Sequence, residues 1–396
     1  MTPRGTHRVV IVGAGLGGLR VAEHLRRQRY TGAITLVGDE SAEPYDRPPL
    51  SKAVLVGTMT DTTLAKDIPS LDLDLRLGTR VETVDTSDRS VVLSNGDRIG
   101  YDSLVLAPGA VPRLPAGVGV GGGVHVLRTI ADSLGIRAAI ADGRRLVVVG
   151  AGFIGCEVAA SARRAGVDVD LVERLSLPLV QVLGEAGGRR AAELHREHGV
   201  RLHLGTGATP VTGPDGVRAV RLDDGTELEC RDIVYGIGVT PDVEWLAPSG
   251  IALDDGILCD SLGRTSIPGV FAVGDAARWW HPLLGAHRRL EHWMSTTGQA
   301  ETVAHAITAG DDIAVPTTVP FFWSDQYDVK IQGLGFVDPS DDVRELEVDG
   351  KPVLVYSRDN VLRAVVGFSV PTAVLPLRKS IMSGVDVDEV VARLTE

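Results

Sequence analysis

Two glycine-rich segments of this 396-residue chain have the composition and spacing to hold a pyrophosphate. The first is Gly13-Ala14-Gly15-Leu16-Gly17-Gly18 and the second is Gly150-Ala151-Gly152-Phe153-Ile154-Gly155. In a G-x-G-x-x-G turn the first glycine permits a tight bend, the second lets backbone approach phosphate oxygens, and the last lets helix pack close on strand. Free N–H groups at the helix start, and its positive dipole end, favour the anion. The pattern alone is weak; its setting between a strand and a helix decides its meaning.

Both segments have that setting. Val9-Val10-Ile11-Val12 is a continuous β-branched run, as in a strand buried on both faces of a parallel sheet. A helix is expected over Leu19–Arg29 and a second strand over Ile34–Val37, with Asp39 and Glu40 just beyond. The second unit repeats this order: a strand over Leu146–Val149, a helix through Arg164, and a strand over Val167–Val172 that ends at Glu173. Glu173 lies 23 positions past Gly150, close to the roughly 20 at which a carboxylate meets the ribose hydroxyls. Its charge would repel a 2′-phosphate, which favours NADH over NADPH, while the adjacent Arg174 works the other way.

Two such units, 137 positions apart, imply two bound dinucleotides. A third segment bears on which two. Ile267-Pro-Gly-Val-Phe-Ala-Val-Gly-Asp275 reads as a strand delivering an aspartate into a turn. It resembles the second FAD fingerprint of two-dinucleotide flavoproteins. Tyr101 to Gly109 resembles the strand before the crossing to their NAD domain, with Pro108 where threonine is usual, and Asp232 to Pro241, through Gly238, resembles the return crossing. The expected fold class is α/β, with two Rossmann-like domains and a C-terminal α+β domain, as in glutathione-reductase-like proteins. The FAD domain is discontinuous, 1–112 and 247–315. The NAD domain, 113–246, is inserted, and 316–396 form the third domain. There Asp342–Val348, Lys351–Ser357 and Arg363–Phe368 read as a strand meander with turns at Asp349-Gly350 and Asp359-Asn360, and Pro376–Ser383 and Asp388–Leu394 read as helical.

Composition excludes several classes. The formal net charge is −12, the wrong sign for a nucleic-acid or anionic-membrane protein. Three scattered cysteines, Cys156, Cys230 and Cys259, provide no metal spacing and no disulfide framework, and fit a reducing, cytoplasmic setting. The apolar run after Arg4, His7 and Arg8 is too short for a span and laced with glycine, so it reads as a strand entering a helix. The stretch Glu43-Pro-Tyr-Asp-Arg-Pro-Pro-Leu-Ser-Lys52 holds no cysteine, which argues against disulfide reduction. Its prolines are expected to stiffen the loop in extended geometry, and Lys52 would place positive charge where reduced flavin builds negative charge.

That segment, with Glu291-His292-Trp293 and Val319-Pro-Phe-Phe-Trp323-Ser-Asp-Gln326, resembles the oxygenase-coupled NADH–ferredoxin reductases over essentially the whole chain. The resemblance implies that Gly13, Gly17, Asp39, Lys52, Val81, Arg128, Asp275 and Trp293 contact FAD. It also implies that Lys52 pairs with Glu157 near flavin N5, and that Trp323 lies at the flavin edge. Together with Gly15, Gly18, Gly150, Gly152, Gly155, Glu173 and Gly238, these are the expected cofactor residues, Lys52 and Glu157 being the catalytic pair; no metal is expected. The helix after Trp293 departs from the family pattern over Met294 to Gly298.

The implied activity is transfer of electrons from NADH through FAD to a [2Fe–2S] ferredoxin that serves a cytochrome P450 or Rieske oxygenase. The cluster belongs to the partner, because three cysteines cannot supply four thiolates. Acidic ferredoxins would need a local basic patch on this acidic protein, for which His287-Arg288-Arg289 and Arg378-Lys379 are candidates. Two alternatives share the fold: an NADH oxidase without a protein acceptor, and an NADH-sensing interaction flavoprotein like apoptosis-inducing factor. The chain is read as a monomer or homodimer.

Overall fold

The computed structural model describes residues 7–64, 67–310, 314–315 and 318–395. Arg4, and the expected third-domain limits at 316 and 396, lie outside them. The chain forms two compact units: Met1–Asp46, Thr62–Val111 and Thr240–Pro320 make the first, and Arg47–Asp61, Pro112–Val239 and Phe321–Glu396 the second.

The first unit is built on a five-stranded parallel sheet in the order Asp74–Arg76, Ala33–Val37, Arg8–Val12, Ser103–Leu106, Val270–Ala272. Val10, Ile11, Leu36, Leu104, Val105 and Leu106 are all buried, as continuous apolar runs in a doubly covered sheet require. Helices Leu16–Arg27 and Trp293–Ala309 pack against each other. The first begins three residues before the expected Leu19, because Gly17 and Gly18 are already helical. It ends early because Arg29 turns left-handed (φ 61°) and Tyr30 N–H reaches back to Leu25 O at 3.0 Å, a helix-closing bond.

The second unit repeats the design. Its parallel sheet runs Arg201–Leu204, Val169–Glu173, Leu146–Val149, Asp232–Tyr235, Val124–Val126. The helix Phe153–Arg164 follows the second glycine turn. The helix Val180–Glu197 is broken at Gly184 (φ 64°, ψ −174°), and the Leu183 carbonyl freed there accepts the Tyr356 hydroxyl at 2.5 Å. A five-stranded antiparallel sheet closes the unit, in the order Phe321–Gln326, Val329–Gly335, Val361–Phe368, Lys351–Arg358, Asp342–Val348. Its two tight turns have positive φ at both central residues, Asp349 (51°) with Gly350 (71°) and Asp359 (50°) with Asn360 (61°), which suits the twist of a hairpin. Helices Pro371–Val374, Arg378–Ser383 and Val387–Thr395 follow.

The proline segment differs from the extended loop expected. Pro48–Ser51 is a turn of 3₁₀ helix. Pro48 and Pro49 occupy its first positions, where a missing N–H costs nothing, and their fixed φ suits a helical start.

Candidate functional site

The two glycine turns are near copies. Gly13 (φ 107°) and Gly150 (φ 99°) take a conformation closed to other residues, and a Cβ on either would lie 2.0 Å from Ala107 O or 2.5 Å from Gly236 O. Gly18 and Gly155 press on the turn itself, with a Cβ falling 2.0 Å from Gly13 O and 1.8 Å from Gly150 O. Gly15 and Gly152 are different. A Cβ on Gly15 meets nothing within 4 Å, and one on Gly152 meets only Gly236 O at 3.9 Å. These two glycines face open space that a ligand's phosphates can occupy. Each is the N-cap of its helix, with no side-chain cap and no acidic residue in the first turn. The N–H groups at both helix starts are thus left to an anion, so both turns fit a dinucleotide.

The acidic residues beyond the second strands are not equivalent. Val149 pairs with Val172 and Val12 with Val37, so Glu173 corresponds to Gly38, one position before Asp39. Glu173 Oε2 accepts Ala151 N–H at 2.6 Å, and Oε1 accepts Leu175 N–H at 2.9 Å, which aims the carboxylate at the glycine turn. Asp39 is exposed and lies 3.7 Å from Arg80. Glu40 accepts the Tyr45 hydroxyl at 2.6 Å.

In the first unit Asp275 sits in the short 3₁₀ turn Gly274–Ala276, directly after the strand Val270–Ala272. Gln299 Oε1 accepts Gly274 N–H at 2.8 Å and Arg289 donates to Asp275 O at 3.2 Å, so the turn is held from two sides. His292 precedes the helix Trp293–Ala309; burial drives its imidazole down to about 4 despite the charge of Asp275. Trp293 Nε1 donates to Asp46 at 2.8 Å, and the Arg20 guanidinium lies 5.7 Å from the Trp293 ring. Val81 is buried in the apolar core of this unit. Within the departing segment Met294 is exposed and Thr296 buried. Of the basic cluster, Arg288 is exposed. Arg289 is committed elsewhere: its side chain is only 11% exposed and pairs with Glu291 and Asp255.

In the second unit Lys52 Nζ lies 2.6 Å from Glu157 Oε2, with the carboxylate buried. Lys52 also donates to Pro48 O at 3.1 Å. Ser51 Oγ donates to Glu157 Oε2 at 2.5 Å, and Ser324 Oγ to Glu157 Oε1 at 2.7 Å. Gln326 Nε2 donates to Ser324 Oγ at 3.1 Å. The loop is tied down further: Ser161 Oγ donates to Ser51 O and Ser133 Oγ to Leu50 O, each at 2.7 Å, and Arg47 bonds to the carbonyl of Arg128. Arg128 precedes the capped helix Ile130–Ala141, its N–H bonded to Asp132 at 3.0 Å. Trp323 is half-buried and stacks on Phe321 at 6.1 Å between ring centroids. Gly238 (φ 95°) faces open space, and its carbonyl accepts Arg113 N–H at 2.9 Å. Lys379 is exposed.

The sequence reading missed Asp46, Ser51, Ser324 and Gln326. One signal was available. Phe322, Ser324 and Gln326 share the buried face of an alternating strand, and two polar residues on such a face must be answered by buried partners. All three cysteines are buried and unpaired. Burial, then the charges of Glu157 and Glu173, hold the Cys156 thiol well above its ordinary range; burial pushes Cys230 up to about 12 and raises Cys259 as well. None is a thiolate nucleophile. Among the described residues no cluster of His, Cys, Asp or Glu gathers as for a metal ion.

Residues 7–310 match the family model described as pyridine nucleotide-disulphide oxidoreductase, and residues 321–393 the one described as reductase C-terminal. The chain is 37% identical to the biphenyl dioxygenase system ferredoxin–NAD(+) reductase component of Paraburkholderia xenovorans (strain LB400), over 94% of each chain. It is 37% identical to the anthranilate 1,2-dioxygenase system ferredoxin–NAD(+) reductase component of Burkholderia cepacia, over 82% of this chain and 81% of that one. It superimposes with a TM-score of 0.93 and 31% identity on a chain from the crystal structure of the covalent putidaredoxin reductase–putidaredoxin complex, covering 99% of both.

Proposed function

Because the chain belongs to the pyridine nucleotide-disulphide oxidoreductase family and, within it, to the NADH-dependent ferredoxin reductases of oxygenase systems, we propose that it passes electrons from NADH through FAD to a [2Fe–2S] ferredoxin serving a cytochrome P450 or Rieske oxygenase. The observation that carries this reading is the Lys52–Glu157 pair, in a chain whose cysteines are all buried as unreactive thiols. A disulfide reductase needs an accessible low-pKa cysteine; this chain offers a fixed positive charge instead.

FAD, when bound, takes a hydride from NADH and releases electrons singly, which NADH cannot do. The chain supplies position and charge. The glycine turn at Gly13 to Gly18 would hold one pyrophosphate, and Asp39 and Asp275 would serve the ribose and ribityl groups. The turn at Gly150 to Gly155 would hold the other, with Glu173 available to the ribose hydroxyls. Lys52 compensates the negative charge that arises on reduction, and Glu157 keeps the ammonium in place. Val81 and Trp293 would contribute to the flavin site from the first unit, Gly238 would mark the return crossing, and Trp323 the edge at which the ferredoxin docks. Arg288 and Lys379 are exposed cations able to steer an acidic partner. We assign the domains as 1–112 with 247–315 for FAD, 113–246 for NADH, and 316–396 for the C-terminal domain, and place the protein in the cytoplasm as a monomer or homodimer. No helix among the described residues is long and apolar enough to cross a membrane.

The test is anaerobic mixing of the yellow protein with NADH, followed by a [2Fe–2S] ferredoxin. Fast bleaching of the flavin band and rapid reoxidation by ferredoxin supports the proposal. Bleaching that only a dye reverses makes the partner wrong. A slow reduction with a persistent charge-transfer band favours an NADH-sensing interaction protein.

A further inference from the structure

Glu157 is a buried carboxylate whose two oxygens face different chain segments. Oε2 takes Lys52 and Ser51, both from the proline segment. Oε1 takes Ser324 from the antiparallel sheet. Behind Ser324 the polar contacts continue into the core. Ser324 spends its one proton on Glu157, so its lone pair receives Gln326 Nε2 at 3.1 Å. The other end of that amide faces His195. His195 Nδ1 lies 2.9 Å from the Tyr327 hydroxyl. Ser324, Gln326 and His195 are fully buried.

The donor and acceptor roles along this line are determined. Burial holds His195 neutral, with its pKa down at about 4, so its ring carries one proton. Gln326 Oε1 and His195 Nε2 are each buried with no other partner, and Gln326 hydrogen-bonds the His195 ring, so the two answer each other with Nε2 as the protonated nitrogen. Nδ1 is then the acceptor for Tyr327 O–H. Every donor in the line points the same way: Tyr327 to His195, His195 to Gln326, Gln326 to Ser324, Ser324 to Glu157. Hydrogen bonds in series polarise one another, and a series that ends on a carboxylate strengthens its last bond. At the far end Tyr327 is only half-buried and stacks on the ring of His198, 3.7 Å between centroids.

We propose that Ser324 is a positioning residue, and that Tyr327, His195, Gln326 and Ser324 form a one-directional donor chain that fixes Glu157 as the counter-charge of Lys52. The inference rests on the reading that Lys52 and Glu157 act on the flavin. It adds a role for the antiparallel sheet and for the helix Val180–Glu197: they hold the carboxylate through Oε1, the oxygen that the proline segment leaves free.

The test uses the FAD-loaded protein and two readouts. The first is the infrared carboxylate stretch of Glu157 in protein labelled with ¹³C-glutamate, the band being the one that Glu157→Gln removes. The second is stopped-flow flavin reduction by NADH, with the limiting rate and NADH affinity read separately. Ser324→Ala is expected to shift the Glu157 band and to lower the limiting rate with little change in NADH affinity. Tyr327→Phe, which loses one oxygen at the half-buried end and keeps the ring, is expected to shift the band in the same sense by less, so the chain is tested even if Ser324→Ala does not fold. An unmoved band in both variants overturns the inference. So does a wild-type limiting rate in Ser324→Ala when Glu157→Gln is slow. If Glu157→Gln itself reduces its flavin at the wild-type rate, the reading beneath the inference has failed, and the inference falls with it.

Discussion

Lys52 Nζ and Glu157 Oε2 are 2.6 Å apart although 105 positions separate them in the chain. The carboxylate is 5% exposed and the lysine 20%, so removing the cation strands a buried anion. Breaking such a pair costs about 3 kcal/mol or more, whereas replacing both members with apolar groups is often near neutral. Lys52→Met is therefore expected to lower stability by about 3–5 kcal/mol and to slow flavin reduction more than it weakens NADH binding. The double variant with Glu157→Leu should recover much of the stability and none of the rate. Denaturant titration and stopped-flow reduction of all three proteins check this; unchanged reduction in Lys52→Met would leave Lys52 a loop charge.

Gly15 and Gly18 separate ligand binding from folding. Gly18→Ala drives a Cβ to 2.0 Å from Gly13 O and should prevent the first unit from forming. Gly15→Ala meets no atom of the protein within 4 Å, so the chain should fold but bind FAD about tenfold more weakly, as losing about 1.4 kcal/mol of phosphate contact implies. Gly152→Ala should do the same to NADH alone. Flavin content after dialysis and NADH titration, beside a circular dichroism spectrum, distinguish these outcomes.

Glu173 governs cofactor choice if its carboxylate meets the ribose hydroxyls. Glu173→Ala combined with Leu175→Arg, the latter at an exposed position, should shift the NADH to NADPH ratio of kcat/KM by at least about tenfold toward NADPH. An unaltered ratio would remove Glu173 from that role.

His292 gives the first unit a pH dependence of defined sign. Its folded pKa is about 4, below the unfolded 6.5, so between these values the unfolded chain binds a proton that the folded one does not. Stability from this source is intact above about pH 6.5 and falls as pH drops toward 4, by about 1.4 kcal/mol at pH 5.5. His292→Asn should flatten the stability-versus-pH curve by one proton in that window, as read by urea titration at pH 7.5 and 5.5.

The buried thiols predict chemical indifference. Native protein treated with a thiol-specific alkylating agent should modify slowly at all three cysteines and keep its full rate of NADH-dependent flavin reduction, checked by mass spectrometry and stopped flow. Rapid loss of that rate on single alkylation would point to a redox thiol after all.

What the sequence determined by itself is what the chain writes locally. A β-branched run, a G-x-G-x-x-G turn, a helix and an acidic residue at fixed spacing lie within about 30 residues, and strand–helix packing leaves little choice about how they fold. The turns at Asp349-Gly350 and Asp359-Asn360 were legible for the same reason, since few residues tolerate their φ. The pairing of Lys52 with Glu157 came through resemblance, not spacing. The surroundings of Glu157 were decided by tertiary structure alone. Ser51 and Ser324 stand 106 and 167 positions from it. A serine beside a lysine, or on a strand, carries no mark of the carboxylate it will meet. Only when helix Phe153–Arg164, the 3₁₀ turn at Pro48–Ser51 and the strand Phe321–Gln326 pack together does a buried anion need three donors at once, and burial, which makes an unmet charge costly, selects the hydroxyls that meet it.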